Sequence, residues 1–146
     1  MSSHAFYQLY YHFAWSTKGR QASIEGHRRL WLAEIVAEEA RRFAGNPLAC
    51  TVLADHIHLL ISAPPTMCVS DFIGKVKGAS AFKINKGVAE SSKIVWQAGY
   101  GVVSLRKADV PKVRQYVINQ EAIHARRNPA GILEIDRAEE ECSEPR

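Results

Sequence analysis

Thr51-Val52-Leu53-Ala54-Asp55-His56-Ile57-His58-Leu59-Leu60-Ile61-Ser62 is the stretch on which the reading of this chain turns. Nearly every residue in it is β-branched or apolar, which reads as strand, yet two histidines stand one isoleucine apart. Side chains two positions apart on a strand share a face, so His56 and His58 project together while Ile57 projects to the other side. Two neutral imidazoles on one rigid strand make half a metal site, needing one or two further ligands from elsewhere. The same pattern also suits a strand with two hydrogen-bonded, inert histidines, and the pair alone does not choose between them.

Size and composition bound the alternatives. The chain has 146 residues, 47% apolar and 23% charged, which suits one globular domain with a sizeable core. No apolar run approaches the roughly 20 residues that span a bilayer, and Met1-Ser2-Ser3-His4 lacks the charged-then-apolar plan of a signal peptide. Cys50, Cys68 and Cys142 are odd in number and widely spaced, which argues against a disulfide framework and a thiolate zinc site and leads us to expect a reducing cytoplasm. Charge is unevenly placed. Residues 134–146 hold six acidic groups against two arginines, so residues 1–133 carry 17 basic and 9 acidic groups, a net +8. We expect one domain over 1–133 with an acidic, disordered tail over 134–146. A body that basic suits a polyanion partner, although a merely soluble basic surface looks the same in sequence.

Outward from the histidine stretch, the elements alternate. Phe6 to Trp15 reads as an aromatic-rich strand, and Lys18-Gly19-Arg20 as a turn with two cations able to grip phosphate. Ser23 is the expected cap of a helix to about Phe43, with Leu32, Ile35, Val36 and Phe43 inward; Gly45-Asn46-Pro47 stops it. Leu48–Ala54 and His56–Ser62 read as two strands with a tight turn or bulge near Asp55, or residues 51–62 as one long strand. Val69 to Lys86 reads as a second helix with Val69, Phe72, Val76 and Phe82 inward. Its Lys75, Lys83 and Lys86 share a flank that suits a nucleic-acid backbone or plain solvent. A loop and short strand span Ile94–Ser104, and Asp109 is the expected cap of a third helix from Pro111 to about Arg126. The order β-α-β-β-α-β-α implies α+β: a ferredoxin-like βαββαβ antiparallel sheet with helices on one face and an added C-terminal helix.

That third helix carries the complement to the histidines. Tyr116 and Gln120 are four apart and share a helical face. A phenol is a nucleophile when deprotonated or set beside a metal-bound phosphate. A glutamine carbonyl can be the third ligand of a hard cation already held by two imidazoles. Each residue alone reads as an ordinary surface position; with a His-hydrophobic-His strand they read as a site.

The combination resembles the single-tyrosine HUH transposases of bacterial and archaeal insertion sequences, the IS200-like family including transposases associated with repetitive extragenic palindromes. Tyr11-His12-Phe13-Ala14-Trp15-Ser16-Thr17-Lys18 is similar to the family's opening strand, and Asp55-His56-Ile57-His58-Leu59-Leu60-Ile61 to its histidine motif. Ser70-Asp71-Phe72-Ile73 and Lys77-Gly78 resemble its middle helix, Trp96 with Gly99-Tyr100 its penultimate segment, and Arg114-Gln115-Tyr116-Val117-Ile118-Asn119-Gln120 its catalytic helix. The resemblance implies a catalytic Tyr116 that attacks single-stranded DNA and forms a 5′-phosphotyrosine link. It implies Mg²⁺ or Mn²⁺ on His56, His58 and Gln120, hairpin-ended DNA as partner, and a homodimer in which each tyrosine helix sits against the other subunit's histidines. It implies neither a membrane nor a nucleotide cofactor. Lys18, Arg20, Lys75, Lys83, Lys86 and Arg114 are the expected DNA contacts. Gly19 departs from the family pattern, which favours a bulkier residue there, and the acidic tail has no counterpart role. Tyr100 is a rival nucleophile without a helical ligand partner, and His124 a candidate nearby base or a solvent-exposed residue. A domesticated hairpin-binding protein or nickase remains a competing reading, and so does a non-catalytic ferredoxin-like RNA-binding module. The latter usually stacks bases on exposed strand aromatics, where this chain has histidines and aliphatics.

Overall fold

The structure, a computed structural model, describes residues 5–120. Arg126, His124, Cys142 and the acidic tail lie outside the described residues. Strands β1 (Tyr10–Ser16), β2 (Asn46–Val52), β3 (His56–Ser62) and β4 (Gly101–Leu105) form one antiparallel sheet in the order β2-β3-β1-β4. Helices α1 (Gly26–Arg42) and α2 (Val69–Ile84) connect them, and α3 (Val110–Ile118) follows β4. With β1 and β3 central and a helix crossing over after each, this is the expected α+β arrangement of the ferredoxin-like plan.

Alternation along the central strands divides the sheet into two faces. Phe13 and Trp15 of β1 and Ile57, Leu59 and Ile61 of β3 are fully buried against Leu32, Ile35 and Val36 of α1 and Phe72, Ile73 and Val76 of α2. Each such side chain contributes about 1.5–3 kcal/mol by leaving water, so this layer holds the domain together. The intervening residues, His12, Ala14 and Ser16 of β1 and His56, His58 and Leu60 of β3, belong to the opposite face, where α3 packs on β2 and β3. A single period-two pattern thus supplies the core on one side and the polar residues on the other.

Several local expectations are corrected. Residues 51–62 are not one strand: Leu53 donates its amide to the His56 carbonyl at 2.8 Å, closing a tight turn at 53–55. Pro47 is the second residue of the edge strand β2, where a missing amide costs no ladder bond, and a register shift follows between Pro47 and Ala49. Ser23 does not cap α1; Glu25 holds that position without a side-chain bond, and the Ser23 hydroxyl turns to the Gln21 carbonyl. Asp109 makes no cap bond either, its carboxylate being taken by Arg106 at 3.0 and 3.3 Å. Phe82 is 74% exposed. The buried stripe of α2 runs through Phe72, Val76, Ser80 and Ile84, and at 100° per residue position 82 lies far around the helix from it; an apolar identity outweighed the period.

The segment before β4 is tied to α2. Lys77 Nζ donates to the carbonyls of Gln97 (2.9 Å) and Gly99 (2.6 Å), and Trp96 Nε1 returns a bond to the Lys77 carbonyl at 3.0 Å. Asn85 brackets Ile94, donating to its carbonyl at 2.8 Å and accepting its amide at 2.7 Å. These bonds explain why Lys77 and Trp96 belong together although the loop has no regular structure.

Candidate active site

The site lies where α3 covers the polar face of the sheet. His56 and His58 are each 2% exposed on β3, their rings 5.2 Å apart and nearly perpendicular. His56 Nδ1 lies 2.6 Å from Asp55 Oδ1. That bond holds the Asp55 carboxyl below the usual carboxylate range, with the charge of nearby Arg20 helping, against the opposing effect of burial. His58 Nδ1 lies 2.9 Å from Nε2 of His12, and those two rings stack at 5.1 Å and 27°. Burial pushes His12 down to about 4. Both Nδ1 atoms are engaged, so Nε2 is the nitrogen that either ring would offer to a cation.

Tyr116 stands edge-on to this cluster. Its ring centroid is 6.1 Å from that of His58 at 88°, and 6.2 Å from that of His12 at 78°. Gln120, one turn on, is fully buried. Its Nε2 donates to the Tyr116 carbonyl at 3.1 Å, which fixes the amide and leaves Oε1 as its acceptor end. That oxygen is buried without a hydrogen-bond partner among the described residues, a costly condition for a carbonyl unless a cation or donor meets it. Among the described residues no three His, Cys, Asp or Glu side chains form a metal set. The Gln120 amide oxygen is the further acceptor that this end of α3 offers to an ion. The chemistry of the donor set fits one: two imidazoles each held at Nδ1 by a neighbour, and one acceptor oxygen in need of a partner.

Two bonds fasten α3 over the histidines of its own chain. Thr51 of β2 donates its hydroxyl to the Val117 carbonyl at 2.6 Å, and Arg114 Nε donates to the Leu48 carbonyl at 3.0 Å. Within the one chain Tyr116 stands against His58, His56 adjoins His58, and Gln120 is tied to the Tyr116 backbone one turn further along. Tyr100 is elsewhere: its ring packs 6.4 Å from Phe13, on the core side of the sheet.

The expected DNA contacts are less uniform. Lys75 pairs with Asp71 one turn away at 2.9 Å, and Lys83 with the fully buried Glu39 of α1. Arg114 is committed at Nε to the β2 carbonyl, and Arg20 lies within the field of Asp55. Lys18 and Lys86 are exposed. The departure at Gly19 has a backbone reason: Gly19 adopts φ 64°, in the left-handed region, where a side chain costs about 1–2 kcal/mol.

Sequence reasoning missed two members of the cluster, His12 and Asp55. The alternation Tyr11-His12-Phe13 already placed His12 opposite the aromatic core face, but its partner depended on strand register, which no local pattern specifies.

The fold and this cluster define a small α+β domain with a tyrosine helix laid over a buried histidine pair. The profile of IS200-like transposases matches residues 5–120, and the chain belongs to that family. It is 27% identical over 119 residues to the ISDra2 transposase TnpA of Deinococcus radiodurans, covering 78% of this chain and 85% of that one. It is also 27% identical over 123 residues to the transposase of insertion sequence IS200 from Salmonella typhimurium, covering 81% and 80%. Among solved structures, a Deinococcus radiodurans protein described as a candidate transposase superposes with TM-score 0.67 at 26% identity, over 82% of this chain and 96% of that one. A REP-associated tyrosine transposase bound to a REP hairpin superposes with TM-score 0.62 at 17% identity, over 85% and 74%. Family membership makes this a DNA-binding, DNA-processing enzyme of transposition. Among the described residues no helix is long and apolar enough to cross a membrane.

Proposed function

We propose that this transposase cuts and rejoins single-stranded DNA through a covalent link between Tyr116 and a 5′-phosphate. The observation that carries the reading is the Tyr116 ring standing edge-on 6.1 Å from the His58 ring, with Gln120 Oε1 buried one helical turn away. In the first step the phenol oxygen of Tyr116 forms a bond to phosphorus while the bond from phosphorus to the 3′ oxygen breaks. The phenol gives up its proton and the leaving oxygen gains one, so the products are a phosphotyrosine and a free 3′-hydroxyl. In the second step the 3′-hydroxyl of another strand end attacks the same phosphorus and returns the phenol. One phosphodiester is exchanged for another, so no nucleotide cofactor is needed.

His56, His58 and Gln120 would hold Mg²⁺ or Mn²⁺, which when bound supplies neutralisation of the charge on the scissile phosphate. Asp55 and His12 orient the two imidazoles, Gln120 ties its amide to the backbone of the tyrosine, and the Thr51 bond keeps the phenol over the sheet. Hairpin strand ends are the substrate class, a reading supported by the REP hairpin held by one structural relative. Lys18, Arg20, Lys75, Lys83, Lys86 and Arg114 would meet phosphates around the site, and the working unit would be a homodimer.

The test is incubation with a labelled single-stranded hairpin and Mg²⁺ or Mn²⁺, followed by a denaturing gel. A covalent adduct is expected, absent with chelator and in Tyr116→Phe. Binding of the hairpin with no adduct under either metal would instead make the protein a binding relative.

A further inference from the structure

His12 is a polar ring on the site's face that belongs to neither the histidine motif nor the tyrosine helix. On β1 the core-facing residues are Tyr11, Phe13 and Trp15, and His12 points the other way. Ala14 lies opposite His58 and His12 opposite Leu60. His12 and His58 are therefore diagonal neighbours on one face, within reach for ring side chains. Their rings stack at 5.1 Å with Nε2 of His12 2.9 Å from Nδ1 of His58.

A neutral imidazole carries one N–H and one lone pair. For His58 to offer a lone pair at Nε2, its proton must sit on Nδ1, and the group that faces Nδ1 is His12 Nε2. His12 must then be the acceptor and carry its own proton on Nδ1. The two motif histidines are thus oriented by different chemistry: a carboxylate holds His56 and a neutral imidazole holds His58. A neutral acceptor fixes the tautomer without adding negative charge beside the phosphate. His12 also meets the Tyr116 ring edge at 6.2 Å, so one side chain adjoins both His58 and the proposed nucleophile.

We propose that His12 is a positioning residue that holds His58 as the Nδ1–H tautomer, with its Nε2 lone pair directed to the cation, and forms part of the surface on which Tyr116 rests. The inference rests on the assignment of His56, His58 and Gln120 as the cation site. Orienting partners of this kind are worth about 10–100-fold in metal affinity.

Two measurements on the full chain test it. The first uses the wild-type protein alone: a long-range ¹H–¹⁵N spectrum of the imidazoles is expected to show His58 protonated at Nδ1 and His12 accepting at Nε2. A His58 protonated at Nε2 overturns the proposal. The second is calorimetric titration with Mn²⁺ in the absence of DNA. His12→Phe keeps a stacked ring but no acceptor, and is expected to weaken Mn²⁺ binding at least tenfold, while His12→Gln, which retains an acceptor oxygen, stays within a few-fold of wild type. Should His12→Phe fail to fold, the wild-type tautomer decides alone. Equal Mn²⁺ affinity in a folded His12→Phe overturns the role of His12 and leaves the cation site standing. Equal affinity in His56→Ala, or no Mn²⁺ binding by the wild type, overturns the cation site itself and this inference with it.

Discussion

Replacing Thr51 with valine removes one hydroxyl and preserves the side-chain shape, so its effect isolates the bond that holds the tyrosine helix down. The Thr51 hydroxyl donates to the Val117 carbonyl at 2.6 Å, and Val117 itself is fully buried. An ordinary hydrogen bond contributes about 0.5–1.5 kcal/mol net, and leaving a buried acceptor unpaired costs about 1–3 kcal/mol. The second fastening, Arg114 to the Leu48 carbonyl at 3.0 Å, is exposed and remains. Valine suits a strand as well as threonine does, so β2 has no reason to weaken. A loss near 1.4 kcal/mol shifts the docked-to-undocked ratio of α3 about tenfold. Hydrogen exchange read by mass spectrometry is the assay. Amides of 113–118 should exchange about tenfold faster in Thr51→Val, while those of β1 and β3 keep wild-type protection. Unchanged exchange in α3, or equal acceleration across the central strands, would refute the idea that this bond sets the position of the tyrosine.

The remaining predictions concern the scaffold. Glu39 is fully buried between α1 and α2 and is met by Lys83 and, at 3.4 Å, by Arg42. Lys83→Ala leaves Glu39 with Arg42 alone and should lower unfolding free energy by about 1–3 kcal/mol in urea titration, while the double variant Glu39→Met with Lys83→Ala should recover most of it, because a buried carboxylate short of a partner costs more than a lost pair; equal losses in both would contradict this. In a Cys142→Ser background, iodoacetamide at neutral pH should modify Cys68 alone. The Cys68 thiol is exposed and lowered by its bonds to the Asp71 backbone and Ser70, whereas burial pushes Cys50 up to about 12; two equivalents incorporated by the folded protein would contradict it.

The period-two alternation in Thr51–Ser62, the helical stripes and the loop signals were enough to read out the sheet, the helix order and a polar face holding His56 and His58. The Tyr116–Gln120 spacing was local as well, since one helical turn fixes which residues share a side. What could not be read depended on contacts between distant segments. His12 became part of the cluster only through the β1–β3 register. The fastening of α3 on its own chain came from Thr51 and Arg114, neither of which carries any local sign of its partner. The lysine flank of α2 was legible as a stripe, but its charge is partly spent on Asp71 and on Glu39 of α1, the second being a tertiary contact. Phe82 shows the opposite failure, an apolar residue that hydrophobicity put inside and the helical period puts outside.

The central claim is that one phenol in this chain takes the phosphate. The direct measurement is mass spectrometry of the proteolysed adduct formed on a single-stranded hairpin with Mn²⁺. The account predicts nucleotide mass on the peptide containing Tyr116, attached through a 5′-phosphate, and none after chelation. Nucleotide found instead on the peptide containing Tyr100, or on Tyr116 in equal amount in the His56→Ala, His58→Ala double variant, would contradict it.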